Sequence, residues 1–418
     1  MRAIFFSYLN AYGHIMPTIS IMRELVELGC ILRIYTGDEI KDIFNKVSAD
    51  IQLYPCYSNI FTEEIEYSDF FKKWYSSLSA SVIMRRYLFQ VLRESVIEFA
   101  PDFIIYDQAA SWGQDYSEFL QIPNICLITG YAFSNDILER DGDIIQMEYL
   151  GMKGMSHEDR LTEIRKLNRS LQMNHSIYGC NELCLEDFFL RSGQLNIVLY
   201  LREFQMRVDS FDNSFQFLGQ WYGKEEMNYD DSITQFMKGK KCIYVSLGSD
   251  HNQNIEFYKS LLHFSENCQY AFIISAGTEN QEDAIRKLIP ANKKDSVYLS
   301  RFVPQLQVLE NAVMFITHGG TSSVMQAVQF KIPMLVVPQQ IDEFLIARQI
   351  KILHIGDSLY DDEFKSISQL QFCHIVDKLI HCPVIRENLM FLHDKSITTH
   401  EINPSSKHIL SFVEQSGN

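Results

Sequence analysis

A chain of 418 residues with 53 acidic and 37 basic side chains carries a formal net charge of −16, which argues against nucleic acid as its main partner. Hydrophobic residues make up 46% of it and charged residues 22%, enough apolar material for two cores of about 200 residues each. The nine cysteines are scattered without zinc-ligand spacing, which fits free thiols in a reducing cytoplasm. No run of about 20 apolar residues is present to span a membrane.

Arg2–Ser7 reads as a first strand, and its apolar run is too short for the core of a signal peptide. Pro17 suits a first helical turn. Ile19, Met22, Leu25 and Val26 recur at helical spacing until Gly29 stops the helix, and Cys30–Thr36 is the second strand. This strand–helix–strand opening lacks G-x-G-x-x-G, so it is not read as a dinucleotide site. Between its strand and its helix stands His14, whose imidazole is the one side chain poised to take a proton near neutral pH. Taken singly, a histidine there is more often structural. Residues 53–93 are rich in aromatics, including Trp74 and Tyr87, and read chiefly as a helix pair packed on the sheet.

Pro101–Asp107 is a strand ending in an acid. At the carboxyl end of a parallel strand, an aspartate lies on the ligand side of the sheet, although it also serves as a helix cap. Ile122–Ile128 and Leu195–Leu201 are further strands. Between them, 135–176 reads as charged surface helices, a region able to act as a lid over a bound molecule. Its Asp141-Gly142-Asp143 is too short a pattern to read as a metal site. Gly223–Lys241 is polar and acidic and reads as a linker.

A second sheet opens at Cys242–Ser246, followed by the turn Leu247-Gly248-Ser249, and continues through Tyr270–Ser275 and Val297–Ser300 to Arg301-Phe302-Val303-Pro304-Gln305-Leu306. The strand Val313–Thr317 runs into His318-Gly319-Gly320-Thr321-Ser322-Ser323 and then a helix. A helix start offers unpaired N–H groups and a partial positive charge, and the glycines admit close approach, so this turn suits a phosphate or diphosphate. A plain helix cap at Thr321 or Ser322 is the competing reading. Met334–Val337 is the next strand, and Pro338–Glu343 leaves its carboxyl end, where Asp342 and Glu343 are in reach of sugar hydroxyls. Ser406–Gln415 has the pattern of a last helix.

In order along the chain, A-Y-G-H-I-M-P, Asp107, S-L-G-S, R-F-V-P-Q-L and H-G-G-T-S-S resemble the signatures of the two-domain, inverting, nucleotide-sugar-dependent glycosyltransferases. The bacterial macrolide branch is the most similar, and the resemblance covers nearly the whole chain. It implies an α/β fold of GT-B type, two facing Rossmann-like domains with a cleft between them. The expected layout is an acceptor domain over 1–222, the linker over 223–241, a donor domain over 242–400, and a final helix within 401–418 crossing back to the first domain.

The resemblance also implies roles. His14 is the general base for the acceptor hydroxyl and Asp107 its hydrogen-bonding partner. Ser249, His318, Gly320, Thr321, Ser322 and Ser323 bind the donor diphosphate. Phe302 stacks on the nucleobase, the backbone of Val303 pairs with it, and Gln305 and Gln326 hold base or ribose. Asp342 and Glu343 hold the sugar, while Tyr12, Trp74 and Tyr87 line the acceptor pocket. The expected partners are a UDP- or dTDP-sugar as co-substrate and a small macrolide, polyketide or phenolic acceptor, with no metal or other cofactor. Oligomeric state is left open. Three positions depart from the family pattern: Phe302 replaces the tryptophan usual in plant members, Gln326 a ribose-binding glutamate, and Glu343 a glutamine. Other readings are a nucleotide-sugar epimerase, a non-catalytic homologue serving a partner enzyme, and a transferase acting on a peptide or lipid.

Overall fold

The computed structural model describes residues 1–55, 70–178, 184–219, 222, 229–248, 254–266, 268–402 and 405–416. The chain divides into two units, Met1–Leu218 together with Asn403–Asn418, and Gly219–Ile402.

Seven strands form the sheet of the first unit: β1 (Arg2–Phe6), β2 (Ile31–Thr36), β3 (Asp50–Leu53), β4 (Phe103–Asp107), β5 (Asn124–Ile128), β6 (Leu195–Val198) and β7 (Phe215–Phe217). Their order is β3-β2-β1-β4-β5-β6-β7 and every pairing is parallel. Continuous apolar runs such as Ala3-Ile4-Phe5-Phe6, all fully buried, are what a strand covered on both faces requires. The helix Ile19–Glu27 turns Ile19, Ile21, Met22 and Leu25 onto the sheet. Gly29 ends that turn at φ 90°, a conformation that suits glycine.

The helix Ser405–Ser416 belongs to this unit. Ile409 and Val413 enter the same core as β1 and β4–β6, and Ser406 Oγ donates to Glu24 Oε2 at 2.6 Å. Burial of each of these two side chains stabilises the docking by about 2 kcal/mol.

The second unit has six parallel strands: β8 (Cys242–Ser246), β9 (Ala271–Ser275), β10 (Val297–Ser300), β11 (Met314–Thr317), β12 (Met334–Val336) and β13 (Gly356–Ser358). Their order is β10-β9-β8-β11-β12-β13. In both units the strand order reverses beside the first strand, between β1 and β4 and between β8 and β11. A doubly wound sheet opens its ligand crevice at the carboxyl ends of such a pair.

The boundary between the units differs from the sequence reading. The segment 223–241, read as a linker, includes the helix Asp231–Met237 with Ile233 buried, within the second unit. Gln307 anchors it: its Oε1 accepts from Asp230 N at 2.9 Å and its Nε2 donates to Asp230 O at 2.9 Å. A segment held through its backbone by a side-chain amide needs few apolar residues, so its polar composition reads as a linker. Among the described residues, no helix is long and apolar enough to cross a membrane.

Candidate active site

At the first reversal, the turn after β1 leads into the short helix Tyr12–Ile15, which carries His14. Asp107 closes β4. His14 Nδ1 lies 3.0 and 3.1 Å from the two carboxylate oxygens of Asp107, which is 1% exposed against 36% for the imidazole. A third side chain joins them. Thr129, the first residue beyond β5, donates to Asp107 Oδ2 at 2.9 Å, and its Oγ1 lies 2.8 Å from His14 Nδ1. Ala109 N–H donates to Asp107 Oδ1 at 2.8 Å. The buried carboxylate is thus surrounded by donors, as a buried charge requires.

With Nδ1–H held on Asp107, the neutral imidazole carries its lone pair on Nε2. A carboxylate in this position fixes tautomer and ring orientation and stabilises the imidazolium that forms on protonation. Tyr8 packs against His14 with ring centroids 5.3 Å apart, and burial, followed by the charge of Asp107, pushes its phenol pKa up. Motif reading did not pick out Thr129. The available signal was a hydroxyl residue at the carboxyl end of the strand next to β4.

The residues expected to line an acceptor pocket are placed unequally. Tyr12 is 45% exposed beside His14. Tyr87 is half-buried on the helix Phe70–Val91. Trp74, on the same helix, is buried: its indole N–H donates to Leu150 O at 3.3 Å, and its ring meets Tyr149 and Phe189. It takes part in an aromatic cluster that Phe133 completes. Asp141 and Asp143 are ion-paired with Arg207 and Arg160 respectively. A cavity of about 330 Å³ bordered by Ser117, Gln121, Asn124, Gln194 and Ser416 opens at the amino ends of β5 and β6, away from the crevice edge where His14 stands.

At the second reversal, β11 gives way to His318-Gly319-Gly320 and the helix Thr321–Gln329, with Gly320 as its N-cap. Gly319 has φ 97°, and a methyl group there would come within 2.8 Å of Val336 Cγ1. The His318 imidazole lies against the glycines that follow β8 and β11. Its Nε2 would be 3.4 Å from a Cβ on Gly248 and 2.6 Å from one on Gly320. Only glycine lets the turn close on itself in this way, and Gly319 N–H donates to Thr317 Oγ1 at 3.2 Å. Ser249 lies outside the described residues.

The hydroxyls and amides of this helix are already organised. Ser322 Oγ and Tyr222 OH are 2.6 Å apart, and the Gln329 side-chain amide bonds both backbone groups of Tyr222 at 3.0 and 2.8 Å. Gln305 Nε2 donates to Ser323 Oγ at 3.2 Å and to Gln326 Oε1 at 2.6 Å, while Tyr244 OH donates to Gln305 Oε1 at 3.2 Å. Gln305 thereby ties the segment after β10 to the glycine turn. Within that segment Val303 is buried as an anchor and Phe302 is 57% exposed. The Arg301 guanidinium lies over the Phe302 ring, 5.2 Å from its centroid. Asp342 opens the helix Asp342–Ile352.

Glu343, expected to hold the sugar, is buried. Its carboxyl turns back into the protein, and Oε2 accepts from Gln339 N at 2.7 Å and Gln340 N at 3.0 Å. The loop leaving β12 has no strand partner for these N–H groups, and the buried acid satisfies them. Burial, followed by the charge of Asp342, pushes the Glu343 pKa up to about 8.

Two doubly wound sheets, one carrying a histidine–acid pair and the other a glycine turn at a helix start, have the architecture of a GT-B glycosyltransferase. Comparison with known proteins agrees. Residues 271–405 match the family model described as the C-terminal domain of erythromycin biosynthesis protein CIII-like proteins. The chain is 28% identical over 373 residues to the NDP-glycosyltransferase YjiC of Bacillus subtilis (strain 168), covering 89% of this chain and 88% of that protein. The calicheamicin glycosyltransferase CalG4 superposes with a TM-score of 0.76 at 18% identity, over 99% of this chain and 98% of that one. The glycosyltransferase VinC, solved in complex with dTDP, gives 0.69 at 13% identity over 99% of both chains. By these comparisons the protein is a nucleotide-sugar-dependent glycosyltransferase similar to those of the macrolide type.

Proposed function

We propose that this enzyme transfers a sugar from a UDP- or dTDP-sugar to a hydroxyl of a small natural-product acceptor of macrolide, polyketide or phenolic type, with inversion at the anomeric carbon. The observation that carries the reading is the His14–Asp107 pair at the β1/β4 reversal, with Thr129 on both partners. An alcohol is a poor nucleophile, and a positioned neutral imidazole removes its proton as the new bond forms. The acceptor oxygen attacks the anomeric carbon, the carbon–oxygen bond to the diphosphate breaks, and the electron pair leaves with the nucleoside diphosphate. His14 holds the proton as an imidazolium beside the Asp107 carboxylate.

Negative charge then grows on the diphosphate. The start of the helix Thr321–Gln329, the Gly320 backbone, the hydroxyls of Thr321 and Ser323, and His318 stabilise it, with Ser249 contributing on the family pattern. In this scheme no metal ion is called on for that task, and Asp342 addresses the sugar. A relative named as an NDP-glycosyltransferase and a structural neighbour solved with dTDP support the nucleotide class.

Calorimetry and thermal unfolding with UDP, dTDP, GDP and ADP, each with and without magnesium, test the donor assignment. UDP or dTDP should stabilise the protein by about 2.7 kcal/mol at a hundredfold excess over Kd, equally without the metal. Stabilisation by purine nucleotides only, or by none, would overturn it.

A further inference from the structure

The loop that leaves β12 is held in an unusual way. Ile341 has φ 43° and ψ −120°, a backbone conformation that a β-branched side chain rarely adopts. Such a residue persists only where its surroundings over-determine it. The structure shows what does so. Glu343 Oε2 takes the N–H groups of Gln339 and Gln340, and Gln339 Nε2 donates to Val337 O at 2.8 Å. Glu343 N in turn donates to Gln340 O at 3.1 Å. The Glu343 backbone also packs on the glycine turn, since a Cβ on Gly319 would lie 3.4 Å from Glu343 O and 3.9 Å from its Cα. One residue therefore grips the loop before Asp342 and rests on the turn that closes β11.

Building on the donor reading above, we infer that Glu343 is a positioning residue for the sugar half of the donor: its carboxyl clamps Gln339 and Gln340, holds Ile341 in its strained conformation, and so places Asp342 beside the glycine turn. A carboxyl at this position does what a side-chain amide oxygen would also do, with one difference: it titrates. Asp342 is the neighbouring acid whose charge acts on it, the two backbone N–H groups oppose that effect, and the resulting pKa of about 8 keeps Glu343 largely protonated at neutral pH. As pH rises through that value, a second negative charge appears next to Asp342, at the site meant for an anionic donor. Affinity for the sugar half should then decline.

The experiment compares affinities for UDP, UDP-glucose, dTDP and dTDP-glucose between pH 6.5 and 9, in the wild type, Glu343→Gln and Glu343→Ala. The readout is the ratio of nucleotide-sugar to nucleotide affinity. In the wild type this ratio should fall with rising pH. Glu343→Gln keeps the acceptor and removes the charge, so the ratio should stay high and flat. Glu343→Ala removes both and should lower the ratio about tenfold at every pH, with nucleotide affinity within about twofold of wild type. A wild type that binds neither nucleotide would overturn the donor reading and this inference together. Normal nucleotide binding with an unchanged ratio in both variants would overturn this inference alone. So would a Glu343→Gln protein that keeps the wild-type pH dependence, and that variant remains decisive if Glu343→Ala fails to fold.

Discussion

The two crevices are built on one plan and filled with opposite chemistry. In each sheet the order reverses beside the first strand, and the loops after the two central strands bring distant residues together. At the β1/β4 end the strand closes in an aspartate with a histidine and a threonine on it. At the β8/β11 end the corresponding strand closes in Thr317, followed by a histidine and two glycines, and no acid follows until Asp342. The first can hold a proton and the resulting positive charge. The second offers N–H and O–H donors and suits a negative charge. Topology places both crevices, and the residues that end the central strands differ in charge, Asp107 in the first and Thr317 in the second.

Breaking the first site should stop chemistry and spare donor binding. His14→Ala is expected to lower kcat by about 10² to 10⁴-fold, with UDP or dTDP affinity within about twofold of wild type. Release of nucleoside diphosphate in the presence of acceptor measures it, and a loss of only a few-fold would end the general-base assignment. Asp107→Asn keeps the shape but disturbs the tautomer and the imidazolium, so a drop of up to about 10⁴-fold is expected on the precedent of histidine–acid pairs in hydrolases. Retention of kcat would mean that Asp107 merely caps its own turn through Ala109.

The second site should respond in the opposite sense. Phe302→Ala is expected to weaken nucleotide binding by about 1–3 kcal/mol through lost stacking while leaving thermal stability unchanged, because the ring is already exposed. Unaltered affinity would move the base elsewhere. An effect no larger is expected at Thr129→Val, which removes one hydroxyl from a buried carboxylate for about 1–3 kcal/mol. Its mark should be a displaced pH profile of kcat/KM with donor affinity intact. A loss of stability with an unmoved profile would show that Thr129 supports the fold only.

The fold was largely legible. Buried parallel strands write themselves as unbroken apolar runs, and strand–helix alternation leaves little choice of architecture. The His14 and glycine-turn motifs sit where chain direction changes abruptly, so their local pattern is distinctive. Thr129 was not legible, because a hydroxyl after an apolar strand is ordinary until that strand is known to pair beside β4. Trp74 was ambiguous in another way: a large aromatic near an expected pocket is equally good core, and here its ring is buried against Tyr149 and Phe189.

Glu343 shows the same limit at a charged position. Next to Asp342 it reads as a pair of acids for sugar hydroxyls. Its direction is set by the two backbone N–H groups of a loop that has no strand to pair with, and by a φ at Ile341 that no sequence pattern announces. Local chemistry and periodicity, carried by neighbouring residues, determined the elements, the two units and the principal motifs. The tertiary structure decided which side chains meet across 93 residues, as His14 and Asp107 do, and which turn inward, as Glu343 does. Burial and hydrogen-bond satisfaction are properties of the assembled chain, and no short stretch contains them.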